Sequence, residues 1–230
     1  MFNNLYKVSY ADKLSLYSKI FTVISGIIIS ILVISLIQIF LFFPVYQKSS
    51  GMSPDIPEKS AVLVSKIFDE PKRGDVYLVA PIEKEQASVF QKVLDFFQRF
   101  FTAQKVSFLT SKSENYPCLR RVVGLPGDTI YINNYVVYIK NNENPQFLTE
   151  FELTNSSYNL ELLAVTPGID GNLGVMENME AITLGKDEYF FLSDARHECI
   201  DSRIWGTVKK NSILGKAVFV YFPFNKINFL

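Results

Sequence analysis

Histidine, tryptophan and cysteine are almost missing from this chain, with one His, one Trp and two Cys in 230 residues. The single histidine, His197, excludes a histidine-based metal centre. Cys118 and Cys199 lack the paired spacing that a zinc site requires. Net charge is missing as well, since 23 Lys and Arg balance 23 Asp and Glu. No basic surface therefore points to nucleic acid, and nothing points to an acidic substrate. No internal repeat or low-complexity tract is visible, and no cofactor is implied.

Charge is also lacking over one long stretch, Ile20 to Phe43. Its length exceeds the roughly 20 residues needed to cross a bilayer. A cleaved export signal would have a shorter apolar core and a small-residue exit, which Phe42-Phe43-Pro44 is not. The stretch reads as a transmembrane helix at 20–43, preceded by a cytoplasmic segment at 1–19 and followed by an exported domain at 44–230. Lys7, Lys13 and Lys19 precede the span, opposed only by Asp12, whereas Lys48 alone closely follows it. The positive-inside rule then keeps the N-terminus in the cytoplasm and sends the remainder across the cytoplasmic membrane.

What is abundant is aromatic: 20 Phe and 12 Tyr, a load that suits a β-rich core. Short β-type runs punctuate the exported part at Ala61–Val64, Val76–Val79, Thr129–Ile132, Val136–Ile139, Glu188–Leu192 and Ala217–Phe222. Asn133-Asn134 between two of them signals a turn; Arg73-Gly74-Asp75 and Gly127-Asp128 signal others. An amphipathic helical insertion is expected at 88–113. There Phe90, Val93, Leu94, Phe97, Phe100 and Phe101 recur at helical spacing between Val89 and Val106. It packs either on the β-core or against lipid. Residues 141–180, rich in Asn, Glu and Gly, read as an inserted and less regular lobe.

Several boxes follow one another in order. Ser49-Ser50-Gly51-Met52-Ser53-Pro54-Asp55-Ile56 lies just past the span, and Arg73-Gly74-Asp75-Val76 comes next. Arg120-Arg121-Val122-Val123-Gly124-Leu125-Pro126-Gly127-Asp128 follows. Then come Ser193-Asp194-Ala195-Arg196, Asp201-Ser202-Arg203-Ile204-Trp205-Gly206, and a tail from Gly215 to Phe224. This ordered set resembles the bacterial type I signal peptidases, membrane-anchored serine proteases that cut signal peptides from exported proteins. The resemblance covers the anchor and most of the exported domain. It implies an N-terminal transmembrane helix plus a mainly antiparallel β domain of signal-peptidase type with an inserted lobe.

The same alignment puts Gly51 on the family nucleophile and Arg120 on the lysine general base. A serine hydroxyl attacks the scissile carbonyl and needs a base to take its proton; a desolvated lysine can serve. Glycine has no side chain to attack with, and a guanidinium keeps its proton throughout the working range of enzymes. Losing one member of such a unit already removes most of the rate, on the order of 10⁶-fold. The shared mechanism is therefore not expected to run. A substitute arrangement would draw on Ser50 or Cys199 as nucleophile, with His197 as base, and would also need a refitted oxyanion hole.

Other positions carry over from the resemblance. Ser49 falls on the serine that helps hold the oxyanion, and Cys199 on a serine that contacts the lysine. Asp201 and Arg203 fall on an ion pair that braces the site, while Met52 and Ile56 fall beside substrate pockets. Arg120 is expected either to pair with Asp194 or Asp201, or to be solvated. Cys118 and Cys199 would face one another in the family fold, which allows a disulfide outside the cell. The function implied is a catalytically inactive member of the family that binds signal peptides of exported precursors at the membrane, alone or beside an active paralogue. The alternative is an active endopeptidase with a substitute nucleophile.

Overall fold

A computed structural model describes residues 2–81, 117–154, 157–161, 177–197 and 200–230. The expected amphipathic insertion at 88–113 lies outside the described residues, as does the middle of the expected lobe. Two units divide the chain, residues 1–41 and 42–230.

The first unit is a helix, α1, at Phe2–Phe40. Its apolar window, Ser15–Ile37, has a mean hydropathy of 2.8 over 23 residues, long enough to cross a bilayer. Apolar side chains such as Ile24, Ile28, Ile31 and Ile34 are exposed around it, as suits a helix solvated by lipid. Several of its hydroxyls bond within the helix. Thr22 Oγ1 donates to Ser18 O at 2.9 Å, Ser30 Oγ to Gly26 O at 2.8 Å and Ser35 Oγ to Ile31 O at 2.6 Å. Bonding of this kind removes the cost of placing them in hydrocarbon. The helix ends earlier than the span expected from hydropathy. Phe42 and Phe43 belong to strand β1, Phe42–Tyr46, because Pro44 offers no N–H and disfavours helix at the residue before it. Phe43 is buried in the core of the second unit.

That unit is built on two antiparallel sheets, with β2 at Ala61–Ser65, β3 at Val76–Val79, β4 at Cys118–Gly124, β5 at Thr129–Asn133 and β6 at Val136–Lys140. After these come β7 at Leu148–Thr149, β8 at Met179–Thr183, β9 at Glu188–Leu192, β10 at Val208–Lys209, β11 at Ile213–Phe222 and β12 at Asn228–Phe229. The larger sheet runs β1-β2-β11-β3-β4-β9-β10, with β12 also on β11; the smaller runs β7-β6-β5-β8. All six strands expected from the sequence form. The β5–β6 turn sits one residue later than expected: Asn133 pairs with Val136, and the positive-φ residues are Asn134 (51°) and Tyr135 (63°). A two-residue loop with two positive-φ positions matches the right-handed twist of its strands. The expected lobe at 141–180 is more ordered at its ends than its composition suggests, since β7 and β8 are the edge strands of the smaller sheet.

Three buried clusters hold the layers together. Phe43, Met52, Ile56, Val62, Val76, Leu119 and their neighbours fill one face of the larger sheet. Tyr77, Val79, Val122, Tyr189, Phe191 and Val208 cover the other. Val123, Phe190 and Leu192 meet Ile130, Ile132, Val137 and Ile139 of the smaller sheet. Gly124 lies at that junction. A Cβ there would stand 2.2 Å from Ile130 Cδ1 and 2.8 Å from both Leu184 Cδ1 and Phe190 Cβ. Gly124→Ala should therefore lower the unfolding midpoint, by about 1–3 kcal/mol in stability, as read by denaturant titration of the purified protein.

Candidate functional site

The alternation of β4 decides what its two arginines do. Successive side chains of a strand point to opposite faces, so Leu119, Arg121 and Val123 share one face and Cys118, Arg120 and Val122 share the other. The cores agree: Leu119 and Val123 lie in the first and third clusters described above, Val122 and Cys118 in the second.

Arg121 enters a buried network. Its Nε donates to Asp194 Oδ1 at 2.7 Å and its Nη2 to Asp194 Oδ2 at 2.5 Å, a bidentate fork. Nη1 donates to Gly74 O at 2.6 Å, and Nη2 also reaches Asp55 Oδ2 at 3.2 Å. Asp194 in turn holds the segment that carries Gly51. The amides of Asp194 and Ala195 donate to Gly51 O at 2.8 and 3.1 Å. Gly51 is buried at the centre of a 3₁₀ turn, Ser50–Met52. It is not among the positive-φ glycines of the described residues, which are Gly74, Gly127 and Gly206.

Arg120 behaves differently from either expectation. It is neither solvated nor paired with Asp194 or Asp201, but buried, with 4% exposure. Its Nε and Nη2 donate to Ile200 O at 3.1 and 2.8 Å, and its Nη1 donates to Leu119 O at 2.6 Å. Its guanidinium carbon lies 5.8 Å from the Trp205 ring centre. The two carboxylates are taken by other arginines, Asp194 by Arg121 and Asp201 by Arg203. Among the described residues, Arg120 meets carbonyls and the Trp205 ring.

The Asp201–Arg203 pair expected from the boxes is present and buried. Arg203 Nε donates to Asp201 Oδ1 at 2.9 Å and Nη2 to Oδ2 at 2.7 Å. Asp201 also caps the helical turn Ser202–Trp205 through the Arg203 amide and accepts from the Ser193 amide at 3.1 Å. Ser193 Oγ lies 2.8 Å from Asp201 Oδ2. Ser202 Oγ accepts from the Phe191 amide and from Trp205 Nε1, both at 3.0 Å. Burial pushes the Asp201 carboxyl up, but the Arg203 fork and the Ser193 donors outweigh it and hold the carboxyl below its usual range.

The remaining sequence expectations divide. Ser49 is exposed; its carbonyl and hydroxyl both accept from Gln47 Nε2. Ser50 and His197 are half-buried. Met52 and Ile56 are both fully buried among Val62, Leu78 and Leu119. Cys199 lies outside the described residues, and with it the Cys118–Cys199 pairing.

Sequence reasoning missed a cluster next to Arg121. Tyr158 places its ring 4.0 Å from the Arg121 guanidinium carbon and donates to Glu150 Oε2 at 2.7 Å, an oxygen that also accepts from Arg196 Nη2 at 2.7 Å. Burial, and then Glu150 beside it, raises the Tyr158 phenol well above the usual tyrosine range, which keeps it a donor. Arg121 and Asp194 stood in the quoted boxes, whereas Glu150 and Tyr158 stood in a stretch with no periodic signal.

The sequence matches the family described as "Signal peptidase, peptidase S26" over residues 20–222. Among curated proteins it is 26% identical to "Signal peptidase I" of Bacillus licheniformis over 214 residues, 91% of this chain and 92% of that one. It is 28% identical over 206 residues to "Signal peptidase I" of Bacillus caldolyticus, 87% and 91% of the two chains. The figure is 24% over 200 residues for "Probable signal peptidase I-1" of a Synechocystis species, 86% and 80%.

Two predictions follow from the charges. Arg121→Leu strands Asp194 and Asp55, so it should cost about 3–5 kcal/mol, more than the ~1–3 kcal/mol expected when Arg120→Leu leaves carbonyls unmet; chemical denaturation orders the two. For Asp201 the folded value lies below the unfolded one. Its contribution is thus present above the unfolded value, about 3.9, and is lost as pH falls through the folded value. The stability gap between the unmodified chain and Asp201→Asn should be flat above about pH 5 and close at lower pH.

Proposed function

The chain belongs to the signal peptidase S26 family, and from that premise we propose that it is a membrane-anchored, non-catalytic member that binds the signal peptides of exported precursors. The observation that carries this reading is the state of the two dyad positions. Gly51 offers no nucleophile, and its carbonyl is held by two amides. Arg120 offers a permanent cation committed to two backbone carbonyls. A hydroxyl introduced at one position alone would still have no base to activate it.

Binding without cleavage is supported by what is kept. The Asp201–Arg203 pair, the Arg121–Asp194 pair and the packing of Met52 and Ile56 hold the site's frame. An extended segment can add to a free strand edge through main-chain bonds alone. In this reading the peptide lies along Cys118–Arg120 of β4, ahead of the stretch that β9 pairs with from Arg121 onward. The lysines ahead of the span orient the anchor with its N-terminus in the cytoplasm and the β domain outside. The partners in this reading are the membrane, precursor signal peptides, and an active paralogue that performs the cut.

The test is cleavage of an exported precursor by the full-length protein in detergent, beside a Gly51→Ser/Arg120→Lys variant. Because Gly51 is not left-handed, serine enters without backbone strain. The expected result is no product from the unmodified chain and product from the repaired one. Product from the unmodified chain, lost on Ser50→Ala or Cys199→Ala, would establish the substitute-nucleophile enzyme instead.

A further inference from the structure

The segment after Leu153 turns back onto the Gly51 region and is held there at three successive points. Tyr158 lays its ring on the Arg121 guanidinium. Asn159 Nδ2 donates to Asp55 Oδ1 at 3.0 Å, four residues past Gly51. Glu161 forms a parallel β-bridge with Ala195. Its amide donates to Asp194 O at 3.0 Å, and its carbonyl accepts from the Arg196 amide at 3.2 Å. The stretch Asp194–Arg196 therefore carries Gly51 on one side and residues 158–161 on the other.

A row of backbone donors and acceptors at an edge is a template for an added strand. Here the template is filled from within the same chain. We propose that Tyr158–Glu161 is an internal occupant of a strand-addition site at Asp194–Arg196, and that on its release the site takes an extended peptide bearing an aromatic residue.

The side chains around the edge specify that ligand. A buried planar cation whose carboxylate partner lies in the fork plane leaves its face to an aromatic ring. Asp55 beside it accepts from amide donors, as it does from Asn159. A peptide with Asn, Gln or Lys after its aromatic residue is favoured, and one with Asp or Glu there is repelled. The layer beneath the segment is incompletely satisfied. Among the described residues, Glu150 Oε1 and Arg196 Nε and Nη1 are buried without a hydrogen-bond partner, which disfavours the closed arrangement and eases its opening. The nature of the replacing peptide rests on the binding reading above; the internal occupancy does not.

Hydrogen exchange on the full chain in detergent tests both. In Tyr158→Ala the amides of Glu161 and Arg196 should exchange about ten-fold faster. Those of Val122, bonded to Asp75 O, and Phe191, bonded to Ser202 Oγ, should keep their rates. A synthetic peptide copying residues 157–161 should then slow Arg196 exchange in the variant and leave the unmodified chain unchanged. Unaltered Arg196 exchange in the variant, or no slowing by the peptide, overturns the proposal. If Tyr158→Ala also releases Val122 and Phe191, the same two criteria are applied to Asn159→Ala, which keeps the buried ring. Failure of a precursor to bind the unmodified chain counts against the broader reading and leaves these rates as they are.

Discussion

The fork of Arg121 on Asp194 is the interaction on which the site's geometry depends. Through it strand β4 is tied to the turn that follows β9, and that turn holds the carbonyl of Gly51. Nη1 of the same guanidinium fixes Gly74, one residue before Asp75 opens the way into β3. Burying a pair of charges costs desolvation, so the pair is a poor source of net stability. Its effect is specificity of arrangement. Only one placement of the Gly51 turn, the Gly74 turn and the Asp194 turn satisfies the fork, and any other leaves a charge buried alone.

Beside that fixed frame, the neighbouring position 120 also carries a buried arginine. Pleating sends Arg120 to the opposite face from Arg121, into a setting of carbonyls and the Trp205 ring. A lysine at a general-base position works by losing its proton when desolvated, which a guanidinium does not do. The fork of Arg120 bridges Leu119 O to Ile200 O, a tie between the strand and the segment before Asp201. The Arg121–Asp194 frame and a buried arginine at position 120 thus coexist without conflict.

Much of this was legible in the residues. The long N-terminal helix followed from an uncharged apolar run, the six main strands from β-branched and aromatic runs, and the Asp201–Arg203 pair from the resemblance of its box. Other features were hidden for physical reasons. The end of α1 was set by Pro44 and by pairing of Phe42 and Phe43 with β2, a tertiary contact that hydropathy does not register. The full burial of Met52 and Ile56 among Val62, Leu78 and Leu119 is likewise tertiary packing that a short box does not register. The roles of Arg120 and Arg121 were separable in principle from strand alternation alone. Those of Glu150 and Tyr158 were not, because their partners lie 46 and 37 residues away along the chain.

The most direct measurement is photo-crosslinking of a labelled precursor, carrying a reactive group in its signal peptide, to the unmodified full-length protein, with the precursor's length read on the same gel. The account predicts a crosslinked complex that contains the uncut precursor and maps to the β domain. A shortened precursor, or no crosslink at all above that seen with a signal-peptide-deleted control, would contradict it.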